Sequence, residues 1–222
     1  MSNLYGSIPP TVKQLSPDEM TALNDVKNFS ILAIVGFLVD MVSVYLGISY
    51  LIGTLSSGFY SSQPLTSSLS AEITILPFSA AAIVLLIVSF VFLRSGYRHL
   101  KGTSERFSSP YTGVNLYFIG LIVLLAGLLV SVVYILGGGP FTLILGGIAI
   151  IFIGSIISLV GEIMGLIVGA FRLRDHFNKS AFGTAGIMFI VGIFIPLFSF
   201  VGAILVYRGS SSILNEKRST QT

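Results

Sequence analysis

Residues 141–171 read FTLILGGIAIIFIGSIISLVGEIMGLIVGAF, and Glu162 is the one charged side chain in the run. At ~1.5 Å per residue a helix of this length reaches about 46 Å. The hydrocarbon core of a bilayer is about 30 Å thick. The run must therefore tilt, project into water or break, and Gly146-Gly147 offers a place to loosen. Inside lipid every backbone polar group needs an internal partner, which selects a helix. Transmembrane strands would be about 10 residues long and would alternate in polarity, and this run does neither.

Four more apolar runs lie outward from it, at residues 29–53, 73–93, 114–136 and 184–207. Together they predict an all-α, polytopic transmembrane helix bundle of about five spans with no soluble domain. Composition agrees: 54% of residues are hydrophobic, 9% are charged, and mean hydropathy is +0.94. A soluble domain carries about 25% charged residues, so a disordered chain, a coiled coil and a soluble enzyme are all excluded. Residues 1–28 read as a cytoplasmic N-terminal segment, 29–207 as the transmembrane domain, and 208–222 as a polar tail. Ser16-Pro17-Asp18-Glu19 has the pattern of a capping box with Pro at the first helical position. It predicts a pre-membrane helix running unbroken into the first span. The N-terminus has no apolar stretch typical of a cleavable signal.

Lys and Arg set the expected orientation. Lys13 and Lys27 precede the first span, and the loop at 54–72 has neither residue type. Arg94, Arg98, Lys101 and Arg106 follow the second span. The Gly137–Pro140 turn has none, and Arg172, Arg174 and Lys179 follow the fourth span. With the N-terminus inside and five full spans, nine positive residues fall inside and three outside. The three dissenters, Arg208, Lys217 and Arg218, are all in the tail. Residues 184–207 are expected as a single span, with Pro196 tolerated near its middle. The alternative is a re-entrant hairpin of two half-helices, which would return the tail to the other basic segments. The clusters Arg94, Arg98, Lys101 and Arg172, Arg174, Lys179 read as inner-face headgroup anchors.

Two carboxyls fall within spans, Asp40 and Glu162, and neither has a Lys or Arg in its own run. Holding such a group in a membrane costs several kcal/mol, which marks it as a candidate site. Its other reading is a helix–helix hydrogen-bond partner. Asp40 and Ser43 lie on a small and polar stripe with Ala33, Gly36 and Gly47. Glu162 lies one turn from Ser158, beside a small-residue seam of Gly147, Gly154, Gly161, Gly165 and Gly169 that permits close backbone approach. The expected arrangement packs the first run on the fourth with the two acids close together. His99 and His176 follow basic exits, but their separation from other ligand types has no metal-site spacing. Cysteine is absent, so disulfides and thiolate chemistry are excluded. Motifs for metalloprotease, aspartyl or phosphate-loop chemistry are lacking. No enzymatic activity, cofactor or nucleic-acid partner is expected. The expected partners are the lipid bilayer and a membrane protein or a second copy of the chain.

FLRSGYRHLKG after the second run and AFRLRDHFNK after the fourth form a faint internal repeat, suggesting two equivalent helix hairpins. The stretch 161–209, GEIMGLIVGAFRLRDHFNKSAFGTAGIMFIVGIFIPLFSFVGAILVYRG, resembles an uncharacterised archaeal family of multi-pass membrane proteins. That family is frequent in thermoacidophiles and is named only as a domain of unknown function. LNDVKNFSILAIVGFLVD at 23–40 and FLRSGYRHL at 92–100 fit it as well. The resemblance implies an archaeal cell membrane and carries over no functional residue. Three function classes follow. One is a structural, assembly or accessory subunit of a membrane complex. Another is a small ion- or proton-coupled transporter subunit using Asp40 and Glu162. The third is a lipid-binding or membrane-organising protein acting through the basic inner face.

Overall fold

Ser16 starts the first helix as its spacing predicts. Its hydroxyl accepts from the Glu19 N–H at 3.1 Å, and the Glu19 carboxyl accepts from the Ser16 N–H at 2.7 Å. This reciprocal cap satisfies two donors that a helix start leaves open. In this computed structural model, residues 15–58, 66–137 and 141–219 are described. Helix α1, Pro17–Gly58, runs unbroken from the cap. It is followed by α2, Thr66–Thr103, a 3₁₀ turn at Glu105–Phe107, and α3, Ser108–Gly137. Next come α4, Phe141–Glu162, a π turn at Ile163–Val168, and α5, Gly169–Phe177. Helices α6, Ser180–Gly192, and α7, Pro196–Ser219, complete the chain. The described residues form no strand. Five helices are long and apolar enough to cross a membrane: 17–50, 77–103, 105–131, 145–177 and 196–217. Lys13, residues 59–65 and residues 138–140 lie outside the described residues, and the rest of the expected 54–72 loop is helical, belonging to α1 and α2.

The long fourth run does not loosen at Gly146-Gly147. Helix α4 passes straight through that pair, and the irregularity comes later, in the π turn. Nor is α4 packed on α1. It packs on α3, while α1 packs on α2 and α7. The glycine seam is real, but its partner is an antiparallel seam on α3. Gly161 stands opposite Gly113, Gly154 opposite Gly120, and Gly147 opposite Gly127. A Cβ on Gly154 would lie 2.5 Å from the Leu124 amide nitrogen and 2.9 Å from the Gly120 carbonyl oxygen. One on Gly161 would meet the Tyr117 amide and lie 2.8 Å from the Gly113 oxygen. The heptad repeat of glycine on both helices keeps the contact in phase along the pair. The equivalent-hairpin reading therefore fails, because α3 is bound to α4 far more than to α2.

Residues 184–207 do not form one span. The chain turns at residues 193–195, and α7 folds back antiparallel on α6. Gly192 abuts Ser199, Gly202 abuts Phe189, and Gly209 abuts Phe182. Pro196 has no N–H to continue a helix and instead opens a new one. The tip is apolar: Phe194 is 82% exposed, with Ile193 and Ile195 beside it. Its amides are nevertheless paired, Phe194 and Ile195 donating to Val191 and Phe198 to Ile195. A tip with apolar side chains outside and paired amides is compatible with hydrocarbon.

The tail thus returns to the end where α1 begins. The Lys179 ammonium donates to the Glu216 carboxylate, and Lys217 donates to the Leu15 carbonyl at 3.1 Å. All the Lys and Arg of the described residues gather at this end, including the three that a fifth full span would have stranded. Arg94 bonds Asn115 at 2.6 Å and stands over the Tyr111 ring, as does Lys101. Arg174 pairs with Asp175, while Arg98 and Arg172 are exposed. The two histidines join different basic exits to one acidic pair: His99 lies 3.8 Å from Asp18, and His176 Nε2 lies 2.7 Å from Glu19 Oε1. The core is concentrated here too, with Leu23, Val26, Leu93, Tyr97, Leu100, Phe107, Leu173 and Phe182 all buried. Toward the other end the helices present Ile, Val and Leu outward, as lipid-facing helices do.

Candidate functional site

Asp40 is the first predicted site residue, and the structure does not place it in a site. Gly36 and Ser43 face α2, where a Cβ on Gly36 would meet Leu85 at 3.3 Å, and Ser43 is buried with its hydroxyl on the Val39 carbonyl at 3.4 Å. Asp40 lies at the edge of that face and is exposed. A Cβ on Gly47, about two turns further on, would meet nothing within 4 Å. Asp40 is not among the residues lining the cavity that Glu162 lines, and α1 packs on α2 and α7 while α4 packs on α3.

Glu162, by contrast, borders a cavity. It ends α4, immediately before the π turn, and the cavity measures about 180 Å³. Helix α1 contributes Phe29, Ala33 and Phe37 to the wall, and α2 contributes Leu86 and Phe90. Tyr117 comes from α3 and Leu166 from the π turn. The re-entrant pair supplies Phe189 from α6 and Ser199, Phe200 and Ala203 from α7. Tyr117 stacks on Phe90 with ring centroids 3.9 Å apart, and Phe29 meets Phe90 edge-on at 5.8 Å. Phe37 and Phe200 stack across α1 and α7 at 5.0 Å. No Lys, Arg or His lines the cavity. Among the described residues no hydrogen bond or ion pair to the Glu162 carboxyl is present. Ser158, one turn earlier, points instead to α3, its hydroxyl 3.5 Å from the Tyr117 carbonyl.

The π turn has its own support. Tyr97 is buried, and its hydroxyl donates to the Gly165 carbonyl at 2.9 Å. A π turn interrupts the regular i to i−4 ladder, and the phenol supplies a donor where that ladder is disturbed. Gly169 leaves room for the ring: a Cβ there would run into the Tyr97 hydroxyl and lie 2.6 Å from Cζ. Gly169 therefore serves α2, while Gly147, Gly154, Gly161 and Gly165 face α3, the Gly165 carbonyl also accepting from Tyr97. The seam read as one feature has two functions.

The aromatic wall was not anticipated from sequence. Phe29, Phe37, Phe90, Phe189 and Phe200 sit in runs so rich in Phe that nothing local distinguishes them. The α3 seam had a signal, since Gly113, Gly120 and Gly127 repeat at the same interval as Gly147, Gly154 and Gly161. Chemically, the site presents one carboxyl, one serine hydroxyl, the Tyr117 phenol and several ring faces, at about 15 Å from Arg172 along the helix. It can take up or release a proton, or hold a cation. No cluster of three or more His, Asp or Glu able to hold a metal occurs among the described residues.

Residues 19–222 match the model of the DUF973 family, described as a protein of unknown function, and the chain belongs to that family. No curated protein and no solved structure matches it.

Proposed function

We propose that the protein is a non-enzymatic, ion- or proton-coupled membrane protein whose working group is Glu162. The observation that carries this reading is a carboxyl at half depth in the bundle, lining a cavity, with no described side chain paired to it. An ionisable group in that position is costly to retain, and a purely structural acid would hydrogen-bond a neighbouring helix. The accessory-subunit reading accounts for the glycine seams but leaves this carboxyl without a task. Asp40 has no part in the mechanism. Glu162→Gln keeps shape and hydrogen-bonding capacity but cannot lose a proton. In proteoliposomes, the variant is expected to abolish proton flux driven by a pH gradient while eluting as the parent does in size-exclusion chromatography. Parent-level flux from this variant would overturn the proposal.

We place the protein in the cell membrane with its basic end, both termini included, in the cytoplasm. The gathering of Lys and Arg at one end supports this through the positive-inside rule. Because the chain has no cysteine, single thiols report topology directly. Ser104→Cys and Ser211→Cys are both expected to resist an impermeant thiol reagent in intact cells and to react after permeabilisation. Opposite behaviour of the two would mean that residues 180–219 cross the membrane. Labelling of both in intact cells would invert the orientation.

A further inference from the structure

Resting on the reading of Glu162 as the working group, we propose that the aromatic cavity binds a small apolar ammonium ion of roughly benzylamine size, with Glu162 as its counter-ion. Three properties of the cavity point to that chemistry.

The first is charge. Glu162 is the lone ionisable carboxyl on the wall, and no basic side chain lines the cavity to neutralise it. A ligand that enters this apolar surrounding and meets the carboxylate must bring a positive charge or leave the acid protonated. The second is the wall itself. Phe90, Tyr117, Phe37 and Phe200 form two stacks, and Phe29 and Phe189 are buried beside them. Ring faces attract ammonium groups, and they bind the apolar remainder of an amine equally well. A hard inorganic cation needs about six to eight oxygen ligands, and the side chains lining this cavity offer fewer: the Glu162 carboxyl, the Ser199 hydroxyl and the Tyr117 phenol. The third is size. An engineered apolar cavity of about 150 Å³ takes up benzene, and this one measures about 180 Å³. One ring with an aminomethyl group fits, but a large drug-like cation does not.

The re-entrant pair supplies one side of the site. Phe189, Ser199, Phe200 and Ala203 form one wall from within the membrane, a position open to them because α6 and α7 turn back at residues 193–195.

The test uses the purified full chain in mild detergent, with benzylammonium as probe and benzyl alcohol as its neutral counterpart of similar shape. Equilibrium dialysis is expected to give benzylammonium roughly ten-fold or more tighter binding than benzyl alcohol, together with a raised melting temperature. Glu162→Gln is expected to erase that preference while benzyl alcohol binds as before. Ala203→Leu, which fills the cavity and keeps the carboxyl, is expected to weaken both probes. Equal affinity of the parent for the two probes would overturn the proposal and leave an apolar cavity that lipid or detergent fills. A preference that persists in Glu162→Gln would overturn it also. If that variant does not fold, the comparison on the parent chain still decides. The two readings of Glu162 fail separately. Proton flux that depends on Glu162 without preference for benzylammonium removes the amine and keeps the coupling. Preference that depends on Glu162 without proton flux does the reverse.

Discussion

Gly161→Leu is expected to prevent stable folding of the chain, at a cost of about 3 kcal/mol or more. The helices α3 and α4 touch through their backbones at this level, and the first added atom already meets the Tyr117 amide. Backbone cannot move aside as a flexible side chain can. The whole helix pair would have to part, losing the close contacts at Gly154 and Gly147 further along. In a membrane such contacts matter more than in water, because lipid gives apolar helix faces no drive to associate and van der Waals packing carries the pairing. Denaturant titration in detergent micelles, with expression level as a second readout, checks the result. Gly146→Leu is the matched control: nothing lies within 4 Å of its Cβ direction, so it should behave as the parent does. Parent-like behaviour of Gly161→Leu would mean that α3 and α4 do not pack as described.

The second large effect is expected at the π turn. Tyr97→Ala removes a buried ring at the centre of the basic-end core and should cost about 3–5 kcal/mol. Tyr97→Phe isolates the hydroxyl and should cost about 1–3 kcal/mol, because the Gly165 carbonyl loses its donor in a buried place. Gly169→Ala pushes a methyl into the same hydroxyl, which the ring cannot avoid while it is tied to Gly165. Its cost is expected at about 1–3 kcal/mol. The two changes are coupled: without its hydroxyl the ring is free to tilt away from the new methyl. Tyr97→Phe with Gly169→Ala should therefore fall short of the sum of the single costs by about 1 kcal/mol or more. Strict additivity in a thermal or chemical unfolding series would show that the two residues do not meet.

These two sites explain why close packing and the candidate site lie together. The π turn follows directly on Glu162, so the helix irregularity that Tyr97 supports also determines where α4 ends and how its last side chain stands toward the cavity. The α3–α4 seam supplies the opposite constraint, pinning Tyr117 beside it. A carboxyl in hydrocarbon needs a rigid surrounding if it is to keep a defined cavity, and both supports are built from glycine.

Sequence alone determined the class of this protein and the rough positions of its first four long apolar helices, but not the split of residues 184–207 into two. Apolar runs of about 20 residues leave the backbone no alternative in lipid, and Ser16 with Glu19 marked the first helix start by a local rule. Glu162 was legible for a similar reason: a lone charge in a run of Ile, Leu and Gly is conspicuous whatever surrounds it. The small-residue seam on α4 was legible too, since close approach demands glycine wherever the partner lies. The partner itself was not. Small residues on α1 and α4 were equally compatible with each other and with further helices, and the choice of α3 for α4 and α2 for α1 depends on side chains distant in sequence meeting all at once. That choice gave Glu162 an aromatic wall drawn from five helices and turned the chain back at residues 193–195. Local periodicity places a residue on a helix face. Which neighbour covers that face is a property of the packed bundle, and only the tertiary structure decided it.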